Sequence, residues 1–289
     1  MSTDYTKYYG TQVYPHINDF DFVDDLEAYD HTRVGVSLNT TTKNIPALAN
    51  YPNLQTLHCF RLSEEQVRSF PILATVKNLS LSTSPIRDLS FLQQFPNLKY
   101  VAIRDCDNLE SVSGITTLHE VKVLDLRGNK QLKGLAEIGN LKTLASLTIT
   151  GTTAGSVLKM AGLQWITSLQ ALEELILKDI ATPKSDLSPI AKLRHLKKLV
   201  IPVKSKLEQI AYLKGSLPNT ECYYFTPFYT ELNKYEELLR CVTCDSPKVR
   251  LVGRGKNRVI CEQCDQELLD EHMKVFNEWQ EKGQKENNY

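Results

Sequence analysis

Neither sign of charge dominates this chain: Lys plus Arg and Asp plus Glu each number 34 among its 289 residues. No global field therefore draws it to nucleic acid or to an anionic membrane, and any such attraction is confined to local patches. No stretch of 18 apolar residues runs uninterrupted, so no ordinary membrane-spanning helix is expected. Residues 1–22 lack the basic-then-apolar layout of a secretory signal, and a cytoplasmic protein is expected. Catalytic motifs are missing too. There is no Gly-x-Ser-x-Gly, no His-Glu-x-x-His, no Walker A loop and no dinucleotide fingerprint. The histidines His16, His31, His58, His119, His195 and His272 are scattered rather than grouped with other donors. What is present is an ordinary globular balance, 42% hydrophobic and 24% charged residues, which excludes disorder of the whole.

The chain repeats itself. An apolar-x-x-apolar-x-apolar block recurs as Leu54/Leu57/Cys59, Val76/Leu79/Leu81, Leu98/Val101/Ile103, Val121/Leu124/Leu126, Leu144/Leu147/Ile149, Leu172/Leu175/Leu177 and Leu196/Leu199/Ile201. The starts are 22, 22, 23, 23, 28 and 24 residues apart. Between blocks a second apolar series runs at spacing three, as Leu109, Val112, Ile115, Leu118 and again as Leu132, Leu135, Ile138, Leu141. Period two predicts a short strand with one face inward, and spacing three predicts a helical or 3₁₀ return segment behind it. One unit cannot bury both edges alone, so neighbours must stack.

On these residues the chain resembles the leucine-rich-repeat superfamily over roughly residues 33 to 225, in the short class of about 22 residues found in internalins. Val121 to Leu141 fits at every consensus slot, with Asn129 where the family places its ladder asparagine. Elsewhere that slot holds Leu62, Ser84, Cys106, Thr152, Ile180 and Lys204, which predicts a less regular ladder. The 28-residue unit departs most, and extra helix-like sequence around Ser156 to Gln170, including Trp165, is expected to bulge on the convex side. Arg33/Val36/Leu38 and Cys222/Tyr224 read as weaker flanking units. A solenoid's ends need cover. Residues 1–32, rich in Tyr and Phe with Asp19, Asp21, Asp24, Asp25, Glu27 and Asp30, are the expected N-terminal cap. Leu232, Tyr235, Leu238 and Leu239 at helical spacing predict a capping helix over residues 226–240.

The remaining segment, 241–289, carries paired cysteines: Cys241-x-x-Cys244, sixteen intervening residues, then Cys261-x-x-Cys264. Two such turns can bring four thiolates to one ion and leave no position open for water, the pattern of structural zinc. A redox site or two disulfides is the alternative, and no βαβ context surrounds either pair to favour it. Val249 to Val252 and Arg258 to Ile260 predict a hairpin, its turn at Gly253 to Asn257 lacking phosphate-loop spacing. Leu268, Leu269, His272, Met273, Phe276 and Trp279 then mark one face of a helix to about Lys282. Knuckle, hairpin, and knuckle at a helix start resembles a treble-clef or zinc-ribbon finger. Cys59, Cys106 and Cys222 fall on inward repeat positions, where a thiol is a small hydrophobe. A ubiquitin ligase with a catalytic cysteine beyond its repeats has no counterpart, because every downstream cysteine is paired; a two-zinc RING unit needs eight ligands where four stand.

The resemblance implies an α/β solenoid, a curved parallel sheet with a helical or 3₁₀ convex side, followed by a small zinc finger. Its concave face is the expected site for a protein partner. Candidates alternating with the inward leucines are His58, Phe60, Arg61, Tyr100, Arg104, Asp105, Asp125, Arg127, Glu174, Lys178 and Asp179. Aromatic and arginine side chains anchor protein interfaces, and mixed charge suits a protein better than a polyanion. A second candidate surface is the basic hairpin, with Lys248, Arg250, Arg254, Lys256 and Arg258, which could meet nucleic-acid phosphates. Against it, Glu262, Asp265, Glu267, Asp270 and Glu271 follow at once, and no aromatic interleaves the basic residues. The expected function is non-enzymatic protein recognition or scaffolding with structural zinc. Nucleic-acid binding, and a bacterial effector or inhibitor acting on another protein, stand as alternatives; no membrane and no small-molecule substrate is indicated.

Overall fold

In a computed structural model, which describes residues 21–151, 157–230, 240–253 and 258–287, each inward block becomes one strand. Numbered in chain order, β1 is Gly35–Leu38, β2 Thr56–Phe60, β3 Asn78–Ser82, β4 Tyr100–Arg104, β5 Val123–Arg127 and β6 Ser146–Thr150. Two-residue β7 (Leu158–Lys159) and β9 (Ile180–Ala181) flank β8 (Glu174–Lys178), and β10 is Lys198–Val200. Eight of these strands form one parallel sheet in the order β1-β2-β3-β4-β5-β6-β8-β10. Its register sets Leu57, Leu79, Val101, Leu124, Leu147, Leu175 and Leu199 side by side, all buried. Each such side chain contributes about 1.5–3 kcal/mol through burial, and only a neighbouring repeat can supply that cover.

The returns at spacing three are mostly 3₁₀ segments: Ile45–Asn50, Ser90–Gln94, Ile115–Thr117, Leu135–Asn140, Gln164–Ser168 and Ser188–Lys192. In a 3₁₀ turn residues i and i+3 eclipse, so an apolar series every third residue presents one edge to the core. Leu118 N–H donates to Ile115 O at 3.1 Å and Leu141 N–H to Ile138 O at 3.0 Å, closing these turns. The second repeat uses a short helix instead, α1 (Glu64–Arg68), where Ser63 and Gln66 form a reciprocal capping box. Asn129 does what its slot predicts: it is buried, accepts from Cys106 N–H at 3.0 Å and donates to Ile103 O at 2.8 Å.

Beyond each of several strands the backbone turns through the left-handed region, at Arg61, Thr83, Asp105, Gly128 and Asp179. At Gly128 the left-handed φ of 77° favours glycine, and a β-carbon would also crowd the Asp105 carboxylate. The 28-residue unit corrects an expectation. Its insertion is only partly helical: Leu158–Lys159 is extended and pairs in parallel with Ile180–Ala181 just past the end of β8, while Gln164–Ser168, with Trp165, is 3₁₀ and Ser156 lies outside the described residues. The β-branched and apolar residues around Leu158 gain more from a strand partner than from an isolated helical turn.

At the N-terminal end, Phe22 bridges to Ser37 in parallel, Val23 N–H donates to Ser37 O at 2.9 Å, and Val23 and Leu26 are buried. At the other end the last return segment is the ten-residue α2 (Leu207–Ser216), burying Leu207, Ile210 and Leu213. Residues Phe228–Tyr229 form a strand, β11, where a capping helix was expected; its partner is β12 (Lys248–Leu251), which pairs with β13 (Arg258–Cys261) in an antiparallel sheet. Leu232, Tyr235, Leu238 and Leu239 lie outside the described residues. The final helix α3 (Gln266–Asn287) runs past Lys282 because it packs along α2. The crossing is made by two glycines: a β-carbon on Gly215 would overlap the Gln280 carbonyl, and one on Gly283 the Tyr212 carbonyl. Tyr212 OH donates to Glu286 Oε2 at 2.9 Å beside it. His272 is fully buried on α3 and bonds Pro227 O at 2.9 Å.

Candidate functional site

Four sulfurs converge at the C-terminal module. Cys241 and Cys244 precede β12, while Cys261 ends β13 and Cys264 stands two residues before α3. Both knuckles close the same way, Asp245 N–H to Cys241 O at 2.9 Å and Asp265 N–H to Cys261 O at 3.1 Å. Cys241 Sγ lies 3.7 Å from Cys264 Sγ, and Cys244 Sγ lies 3.4 Å from both Cys261 Sγ and Cys264 Sγ. All four ligand atoms are within 4.8 Å of one another. A tetrahedral ion with sulfur at about 2.3 Å separates its ligands by about 3.8 Å. A disulfide would need about 2.05 Å. The donor set therefore fits a closed four-thiolate site.

Local backbone prepares those thiolates. The N–H groups of Thr243 and Cys244 hold the Cys241 thiol down to about 6, and Ser246, through its side chain first, lowers that of Cys244. The neighbouring thiols, Cys244 first, push Cys264 up to about 12, a crowding that a bound cation reverses. Cys264 N–H also donates to Cys261 Sγ at 3.4 Å. The three remaining cysteines are different. Burial raises Cys59 strongly, Cys106 to about 11 and Cys222 to about 12. A thiol so raised is a poor nucleophile.

The second candidate is the sheet face opposite the return segments, the concave side of the expected arc, termed the front face. Its middle row is in register as Ser37, His58, Ser80, Ala102, Asp125, Thr148 and Ile176. Of the expected contact residues, His58, Phe60, Arg104, Arg127, Glu174 and Lys178 stand on this face half-exposed. Two do not face solvent as expected: Asp125 is 0% exposed and Tyr100 is buried. Three more, Arg61, Asp105 and Asp179, sit one residue past their strands in the left-handed turns, at the rim rather than on the face. Alternation assigns a side of the sheet only while the strand lasts.

Asp125 organises the centre of the face. Its carboxylate accepts from Arg104 Nε, on the neighbouring strand β4, at 2.9 Å and from Arg127 Nη2, two residues along its own strand β5, at 2.7 Å. Burial pushes its carboxyl up to about 6 against the pull of Arg104. Arg104 Nη2 also reaches Tyr100 OH at 3.3 Å. Lower on the sheet Ser146 Oγ donates to Glu174 Oε2 at 2.8 Å, with Lys198 Nζ 3.7 Å from Glu174 Oε1. The uncharged members of the same row, Ser80, Ala102, Thr148 and Ile176, follow the same alternation without the charge or aromatic ring that marks their neighbours.

On the hairpin, Lys248 and Arg250 share the outward side of β12, since Val249 and Leu251 point into a small core with Ile260 and Leu269. Arg254 and Lys256 lie outside the described residues, and Arg258 pairs in register with Leu251. Exposed Glu267, Asp270 and Glu271 begin the helix next to this hairpin. Among the described residues no helix is long and apolar enough to cross a membrane.

No known protein family matches the chain, and no curated protein matches it. Among solved structures it is similar to an internalin, InlF, of Listeria monocytogenes, with a TM-score of 0.52 at 20% identity over 64% of this chain and 53% of that one. An internalin C2 of the same organism gives 0.48 at 20% identity over 65% and 80% of the two chains. A leucine-rich-repeat protein of Leptospira interrogans gives 0.42 at 18% identity over 65% and 58%. The match spans about half the length of the first internalin. Identity at this level carries the fold and leaves activity open. The fold is thus a leucine-rich-repeat solenoid that ends in a small four-cysteine module.

Proposed function

We propose that this chain is a non-enzymatic recognition protein, holding a protein partner on the front face while zinc, bound by Cys241, Cys244, Cys261 and Cys264, cross-links the C-terminal module. The observation that carries the reading is the composition of that face. Phe60, His58, Arg104, Arg127, Glu174 and Lys178 stand half-exposed on a rigid parallel sheet. Aromatic and arginine groups of mixed charge, preorganised in this way, suit a protein surface. The non-enzymatic part draws support from the buried, poorly nucleophilic state of Cys59, Cys106 and Cys222 and from the absence of catalytic motifs. Zinc at four thiolates supplies a structural cross-link, with no open position for chemistry. A cytoplasmic setting draws support from cysteine pairs spaced for metal rather than for disulfides. On this reading residues 1–32 cap the array, 33–225 carry it, 226–240 connect, and 241–289 form a treble-clef or zinc-ribbon-like unit that closes the array by way of α3.

The test is capture of a partner followed by reconstitution with the purified protein. Arg104 and Arg127 are unsuitable for charge reversal, because both hold buried Asp125. Phe60→Asp combined with Lys178→Glu disturbs only half-exposed groups and is expected to weaken reconstituted binding about tenfold or more. Unaltered binding moves the site off this face. The second reading, phosphate contact through the hairpin, has Lys248 and Arg250 side by side in its favour. Salt-dependent nucleic-acid binding lost in Lys248→Ala with Arg250→Ala reverses the ranking. A role as a bacterial effector or inhibitor is a special case of the first reading.

A further inference from the structure

The sulfurs of the C-terminal module stand open to solvent. Cys264 is exposed, Cys241 and Cys244 are half-exposed, and Cys261 alone of the four is buried. In the array Cys59 and Cys106 are shut in the core and Cys222 packs against it. A dissolved oxidant therefore meets the module's sulfurs first. The two knuckles face each other across the mouth of the β12–β13 hairpin. Lys248 pairs with Cys261, Glu262 N–H donates to Pro247 O at 3.2 Å, and Ser246 Oγ donates to Gln263 Oε1 at 2.7 Å. In that frame the outer cysteines, Cys241 and Cys264, bring their sulfurs to 3.7 Å, and the inner ones, Cys244 and Cys261, to 3.4 Å. Four thiols can be joined in three ways. Outer with outer and inner with inner is the nested way, and each pair has to close by only about 1.5 Å to reach bonding distance. Cys244 Sγ also lies 3.4 Å from Cys264 Sγ, but that link leaves Cys241 for Cys261 and sets inner against outer in both pairs.

We infer that this cluster is an oxidation site for peroxides, at which two peroxides turn four thiolates into the nested disulfides Cys241–Cys264 and Cys244–Cys261 and expel the ion. The expelled ion rests on the zinc reading above; the pairing rests on the sulfur geometry. With a cation bound every sulfur is a thiolate, the form that attacks peroxide, so exposure selects Cys264. Its sulfur takes one oxygen as the O–O bond breaks, which gives a sulfenic acid and releases hydroxide. The Cys241 thiolate then attacks that sulfur, the S–S bond forms, and a second hydroxide leaves. Cys244 and Cys261 repeat the sequence with the second peroxide. Each pair gives up two electrons and each peroxide takes two, so four hydroxides and the free cation balance the four thiolates consumed. Disulfide sulfur is no longer a thiolate ligand, so the cation is lost. Both links cross the mouth of the hairpin and hold β12 to β13 in the ion's place, and a dithiol reductant restores the site.

The test uses the full chain, purified under reductant and assayed for zinc by elemental analysis. Hydrogen peroxide is then added while a chromogenic chelator reads the released ion. One zinc released per two peroxides consumed is expected, with uptake regained after a dithiol reductant and zinc are returned. Remaining thiols are alkylated and the digest is mapped by tandem mass spectrometry, in which fragments broken within each knuckle assign the partners. Cys241 joined to Cys264 and Cys244 joined to Cys261 are expected, with Cys59, Cys106 and Cys222 alkylated only after unfolding. Cys264→Ser is expected to leave Cys244–Cys261 as its single disulfide. If that variant does not fold, the map of the parent chain decides alone. Zinc retained through peroxide treatment, or sulfurs joined within a knuckle or in the crossed pairing, overturns the inference and leaves the zinc reading standing. A reduced chain that takes up no zinc overturns the zinc reading and the expulsion with it, and the peptide map still decides the pairing.

Discussion

The repeats and the C-terminal module exclude water by different means. In the repeats every inward residue rests on its counterpart one strand away, so the core is continuous from Val23 and Leu26 to Leu213. The module's own core is only Val249, Leu251, Ile260 and Leu269, with Phe228, Leu268 and Met273 packed against it. So small a core is thin support for a fold, and on the proposed reading a metal ion at the converging sulfurs would supply the missing constraint. Yet the two regions are not separate bodies. Val252 and Phe276 belong to the large core, and Gly253 brings the hairpin backbone against Leu207 at the start of α2. The comparison teaches that the array's open end is covered by the region least able to fold alone.

That contrast is open to attack at three levels. The largest effect is expected from metal removal. Chelation, or Cys244→Ser, removes binding energy on the order of 10 kcal/mol. The expected results are loss of one zinc per chain by elemental analysis, proteolysis within residues 240–287, and a lowered Tm of the repeats themselves, since α2 loses its cover. Repeats that melt unchanged after chelation would make the regions independent. Next comes Gly283→Val, whose β-carbon overlaps the Tyr212 carbonyl. It is expected to cost about 3 kcal/mol in urea unfolding with zinc content unchanged, separating helix docking from metal binding. Lost zinc would show that the two cannot be separated.

The smallest effect belongs to the repeats alone. The Asp125 carboxyl, ordinarily at 3.8, is pushed up to about 6 by burial. Between those values the folded chain keeps a proton that the unfolded chain has released, so the group's contribution falls as pH rises and is flat outside the window. The whole change is about 2–3 kcal/mol. Urea titrations at pH 4 and pH 6.5 should show this slope in the parent chain and lose it in Asp125→Asn; identical slopes would remove Asp125 as its source.

Much of the fold was legible because its signals are local. Inward leucines at period two, 3₁₀ returns at spacing three, the Asn129 ladder and the paired cysteines all sit within a few residues of their partners in pattern. Spacing failed where a longer-range partner decided the outcome. Leu158–Lys159 became extended by pairing with Ile180–Ala181, and Phe228–Tyr229 by pairing with Leu251 and Arg250. Arg61, Asp105 and Asp179 were counted as face residues because alternation does not announce the turn that ends it. The front face was only half legible. Its side of the sheet followed from alternation, but Asp125 and Tyr100 proved buried.

The sequence by itself determined which side chains point into the array and which four sulfurs meet, since both depend on periods and spacings written along the chain. Only the tertiary structure decided what those faces rest against. The docking of α3 on α2 through Gly215 and Gly283 joins residues far apart in sequence. Burial by a distant segment is a property of the packed pair, and no period within either segment encodes it.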